Sequence, residues 1–147
     1  MANAHNDAYA AMYRGMENLK HAIKAEIECA QIAKVIKYNA KKHVADIQPL
    51  AKTSDGQASA QYLDVPVAAN CYLFDEFIDQ SKTALEKGGF KLPKKKLMRK
   101  GAVVVTVVLD RDNNNWKGAG STYLPDSSRL HDANDAVIVG VLGGDIY

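Results

Sequence analysis

Ser127, Ser128, His131 and Asp135 place a nucleophile type, a base type and a carboxylate on one polar stretch of chain. Acyl hydrolysis needs those groups to converge in space. Residues so close together on a loop seldom do, so the pattern argues against a triad. Asp110-x-Asp112-x-Asn114 begins like a calcium loop, yet Asn115 stands where a turn-forming glycine is required and Ser121 where a bidentate glutamate is required. The stretch reads instead as a loop whose Asp and Asn side chains cap their own backbone, with Trp116 folding back over the domain. Arg129 and His131 are predicted to pair with Asp132, Asp135 or a neighbouring subunit. Gly118-Ala119-Gly120 has no helix behind it to cradle a phosphate. His5, His21, His43 and His131 form no His-x-His pair, so no metal site or other cofactor is expected. Cys29 and Cys71 are predicted to be small buried hydrophobes.

One charged constellation remains. Lys91, Lys94, Lys95, Lys96, Arg99 and Lys100 form a dense basic connector. It suits a solvated loop or an acidic partner surface. Single-stranded nucleic acid is the alternative, but such binding needs aromatic stacking platforms, and only Tyr38, Tyr62 and Tyr72 are plausibly placed for that.

The elements that must position these residues follow from periodicity. With 147 residues the chain suits one domain with one core. Its net charge of +2 is too small to imply a nucleic-acid or membrane partner by itself. The N-terminus carries no leader pattern and the longest apolar run, Ala102 to Leu109, is far short of a membrane span. Synthesis in the cytoplasm and no stable membrane insertion are therefore expected. Tyr9, Met12, Met16, Leu19 and Ile23 recur at steps of three and four, predicting an amphipathic helix over residues 1–25, capped by Asn6 or Asp7. Its seam either packs on its own domain or meets other chains.

Residues 26–147 read as one further unit. Ile27 to Tyr38, a polar turn, and Val44 to Leu50 form a hairpin, and a third strand runs from Gln61 to Val67, with a resumption at Cys71 to Phe74. Phe74, Phe77, Ile78, Ser81 and Leu85 mark a helix that Gly88-Gly89 stops. Ala102 to Leu109 and Ala136 to Leu142 are continuous apolar strands, predicted to be covered on both faces. Two strands carry a proline near their end, Pro49 and Pro66, which places those ends at a rim or edge where another chain can be met. Three strands, a helix and two strands is the order of a five-stranded OB-fold barrel. The fold class is therefore expected to be mainly β with helices: an OB-fold barrel preceded by an N-terminal amphipathic helix, with a second helix between strands 3 and 4.

Asp46-Ile47-Gln48-Pro49-Leu50, Asp64-Val65-Pro66-Val67, Gly101-Ala102-Val103-Val104-Val105, Asp110-Arg111-Asp112, Trp116, Arg129, His131 and Asp135-Ala136 occur in an order that resembles the N-terminal OB-fold domain of the phage baseplate central-spike (membrane-piercing tail spike) family. The resemblance spans nearly the whole chain. It implies a homotrimeric structural protein of the virion tail tip, a central spike or hub-capping protein with no enzymatic activity, which works in tail assembly and cell-envelope penetration. Its partners would be a baseplate hub protein and a separate tip or tape-measure protein. Tyr9, Met12, Met16, Leu19, Ile23, Val104, Val107, Pro49 and Pro66 are then the expected trimer or hub contacts, and the basic connector would face acidic hub surface. Longer members continue into a β-helical needle, with histidines at its tip that bind iron. The sequence ends at Gly143-Gly144-Asp145-Ile146-Tyr147, so neither a needle nor an apex metal site is expected of it.

Overall fold

The computed structural model describes residues 2–118, 120–143 and 146. Ala119, and Gly144, Asp145 and Tyr147 of the C-terminal stretch, lie outside the described residues.

The chain opens with helix α1, Ala2–Glu26. Ala, Met, Leu, Lys and Glu dominate it, and it ends where β-branched Ile27 introduces the next period. It starts earlier than Asn6 or Asp7, which lie inside it, because the alanines on either side favour helix as strongly as a cap would favour a break.

Strands β1 (Ala30–Asn39), β2 (Val44–Pro49), β3 (Tyr62–Pro66), β4 (Val103–Val108) and β5 (Ala136–Leu142) form one antiparallel sheet in the order β3-β2-β1-β4-β5. Asn39 closes the β1–β2 turn by accepting the Lys41 and Lys42 amides on its Oδ1, at 3.1 and 3.2 Å, and His43 takes a left-handed φ of 51°. Register breaks between Val35 and Lys37, between Ala45 and Ile47, and between Val105 and Thr106 bend the sheet into a half-barrel. Its two ends approach each other through a parallel bridge between Val67 and Ile138, with the Ala68 amide donating to the Ile138 carbonyl at 2.8 Å.

Ala33, Val35, Ala45, Ile47, Val65, Val104, Val108 and Ile138 fill the inside of the curl, with Met98 and Cys71 closing it. A short turn of 3₁₀ helix, Ala69–Cys71, and the start of the next helix at Leu73 occupy the stretch Cys71 to Phe74, where strand 3 had been expected to resume. Helix α2, Leu73–Lys87, follows with Asp75 and Glu76 in its first turn and Lys87 in its last. Gly89 then turns the chain at φ 77°, a conformation only glycine adopts freely.

The two helices, of 25 and 15 residues, hold more of the chain than the strands do, so the class is mixed α and β rather than mainly β. The core nevertheless belongs to the sheet. The described side chains of α1 are exposed save Ala10, which is half-buried, and among the described residues α1 has no extensive packing against another element. Its Ala2 side chain is outside the description.

Candidate functional site

The residues that suggested chemistry converge on the β4–β5 loop, but as a brace. Asp112 and Asp135 are fully buried and share Arg129. The Arg129 guanidinium donates from Nε and Nη2 to Asp135, both at 2.8 Å, and from Nη2 to Asp112 at 3.1 Å. Ser127 Oγ donates to Asp112 at 2.6 Å, and the backbone amides of Asn113 and Asn114 donate to Asp135 and Asp112. Every buried oxygen therefore meets a donor, which is the condition for keeping two carboxylates out of water. The Ser127 hydroxyl, the Asn114 amide and then Arg129 hold the Asp112 carboxyl below the usual carboxylate range.

His131 turns outward to Asp110, with 3.1 Å between Nε2 and Oδ1, and adopts a φ of 48°. Ser127 serves a carboxylate rather than a histidine, so no triad forms from these residues. Asp112 is occupied by Arg129 and Ser127, and among the described residues no group of three acidic, His or Cys side chains is placed to hold a metal ion. The expected backbone capping is present, with Asn114 bonded to Asp112 at 2.9 Å. Of the pairings expected for Arg129, the one to Asp135 forms. The one to Asp112 was not foreseen, because nothing in a spacing of 17 residues signals it.

Trp116 is half-exposed and, with Tyr72, Tyr123, His43, Lys42 and Pro66, lines a cavity of about 660 Å³ at one end of the half-barrel. His43 stacks on Tyr72 with ring centroids 3.8 Å apart, and its Nε2 lies 3.6 Å from Glu76.

Of the three tyrosines expected to offer nucleic-acid stacking platforms, two are taken up by the core, while Tyr72 lines the cavity beside Trp116 and Lys42. Tyr38 and Tyr62 pack against the core rather than presenting stacking faces, and burial pushes the Tyr38 hydroxyl up to about 12. Lys94, Lys95 and Lys96 lie instead along α2, where they share a groove of about 340 Å³ with Asp75, Asp79, Lys82 and Glu86. Lys96 pairs with Asp79, and Arg99 donates to the Lys96 carbonyl at 2.7 Å. Part of the acidic surface expected to meet this run is thus the chain's own helix. Asp75 anchors the connector by accepting the Leu97 and Met98 amides at 2.8 and 2.9 Å.

The residues expected at subunit contacts divide into two groups. Val104 is fully buried and Pro49 is buried too, so both belong to the core; Pro49 also sits on an interior strand of the sheet, opposite Ala33. Pro66 ends the edge strand β3 and is half-buried at the cavity. Val107 is 38 % exposed, and Tyr9, Met12, Met16, Leu19 and Ile23 are all exposed. Strand β4 alternates buried and less buried positions despite its unbroken apolar sequence. Its outer residues continue across the sheet by register: Ile32 opposes Val105, Val107 opposes Val137, and Val103 opposes Leu142. Leu50 joins them through its amide bond to the Ile32 carbonyl. Ile32, Leu50 and Leu142 are 44 to 48 % exposed, so the outer face carries an uncovered apolar ladder.

Cys71 is buried as expected, while Cys29 is exposed because it precedes β1 outside the core. No helix among the described residues is long and apolar enough to cross a membrane. No known protein-family model matches the chain, and no curated protein is significantly similar to it.

Proposed function

We propose that this chain is a structural, non-enzymatic assembly element: a homotrimeric OB-fold protein of a phage tail tip, acting as a central spike or hub cap. The observation that carries the reading is the apolar ladder Leu50, Ile32, Val105, Val107, Val137 and Leu142 on the outer face of the sheet. A monomer gains nothing by exposing such a face, whereas an obligate interface is built like a core cut in half. Three barrels around an axis bury it without leaving open ends, as closed symmetry requires.

The strand order with its parallel contact between the β3 end and β5 agrees with a five-stranded Greek-key barrel. The scattered residues behind the resemblance to the spike family also acquire a joint role, since Asp110, Asp112, Arg129, His131 and Asp135 brace one loop. A hub protein, a tip or tape-measure partner, a place in the virion and a part in envelope penetration belong to the same proposal. Light scattering on the purified chain at micromolar concentration tests it. A mass three times the 16.0 kDa chain is expected, and a clean monomer would remove the trimer.

A further inference from the structure

We infer that α1 is a self-association helix, whose seam Tyr9, Met12, Met16, Leu19 and Ile23 packs against the same seam of parallel copies of this chain. The inference rests on the trimer reading above for the number of copies. Four observations carry it.

The seam side chains are 52 to 68 % exposed, and among the described residues α1 has no extensive packing against its own fold, so the apolar stripe is largely uncovered there. Their alternating steps of three and four are the a and d positions of a heptad, a pattern complementary to itself in every copy. The positions beside the seam raise no barrier to close approach. On one side they are Ala8, Gly15 and Ala22, and a side chain added at Gly15 would meet nothing in the single chain. On the other side they are Asn6, Tyr13, Lys20 and Ile27; only Lys20 is charged, and it is already paired with Glu17 at 2.7 Å. Between Tyr9 and Ile23, like charges that would repel a second copy are therefore missing from the contact.

The fourth observation fixes the direction. After Ile23 the next heptad position falls on Glu26, which ends the seam, and the chain then enters β1, whose exposed Ile32 lies on the apolar ladder. A parallel bundle puts the ladders of neighbouring copies side by side, whereas an antiparallel one carries them to opposite ends of a helix about 37 Å long. Little more than two heptads hold weakly alone. Joined to the sheet contact they act at high effective concentration.

Met16→Asp and Leu19→Gln in the full chain test the seam, since both positions are exposed and leave the sheet core untouched. If the wild type is a trimer, each variant should keep the wild-type thermal transition of the sheet while its assembly constant weakens roughly tenfold or more. A nitroxide on exposed Cys29, which reacts ahead of buried Cys71, reads the direction. Parallel packing places the labels within about 20 Å of each other, given interhelical spacings of 8–10 Å. Wild-type trimers with both variants still trimeric would overturn the inference and assign the seam to another protein, while leaving the trimer reading intact. Label separations near the full helix length would overturn the parallel arrangement. A monomeric wild type would remove both the reading and the inference.

Discussion

Asp112, Arg129 and Asp135 turn a loop of polar residues into a fixed piece of the fold, because two buried carboxylates hold one guanidinium and Ser127 completes the set. The depressed Asp112 titration has a definite consequence. A carboxyl whose folded value lies below its unfolded value of about 3.9 stabilises the fold fully above that value, and the contribution is lost as pH falls through the folded one. Ser127→Ala removes the hydroxyl hydrogen bond that does most to depress it. Acid unfolding followed by circular dichroism should therefore begin at higher pH in this variant; an unchanged profile would show that the hydroxyl contributes nothing. At β4, neighbouring valines differ in kind. Val104→Asp puts an unpaired charge into the core and should abolish folding. Val107→Asp lies on the outer face and should leave a folded chain that no longer assembles, as near-ultraviolet dichroism and light scattering together would show.

Among the elements, α2 and the connector depend on each other. The connector has little regular structure of its own, and two of its backbone amides, those of Leu97 and Met98, are satisfied by Asp75 alone among side chains. Asp75→Ala should cost about 2 kcal/mol or more in urea unfolding, because buried donors lose their acceptor. Asp75→Asn keeps one acceptor oxygen and should recover part of the loss. Equal stability of wild type and Asp75→Ala would mean that the connector is held elsewhere. The elements were also the most legible level of the sequence. The β1–β2 turn was marked by Asn39 and its lysines, and the end of α2 by Gly88-Gly89, since these depend on local backbone preferences. The start of α1 was less legible, because Asn6 and Asp7 are cap formers that an alanine-rich helix runs through.

For the whole molecule, the question is how exposed apolar surface is shared out. The basic connector looked like the strongest binding surface, but folding lays it beside Asp79 and Glu86, which reduces its reach toward an outside partner. Among the described residues the apolar ladder and the α1 seam have no such internal answer. Association driven by them should therefore strengthen in sulfate and survive high sodium chloride, whereas association through the lysines would weaken as salt screens it. Sedimentation across a salt series separates the two, and a steep loss of assembly by 0.5 M sodium chloride would point back to the lysines.

The sequence by itself determined the order of helices and strands, the heptad stripe on α1 and the apolar character of β4 and β5, because each follows from periodicities of two or 3.6 residues along the chain. Only the tertiary structure decided which face of each element is covered. An unbroken run of valines reads as buried on both sides, yet Val104 points into the curl and Val107 out of it. The Asp112–Arg129–Asp135 brace was likewise invisible, since its members are brought together by the return of the chain from β4 to β5. Burial and charge pairing depend on contacts between distant segments, which local spacing does not encode.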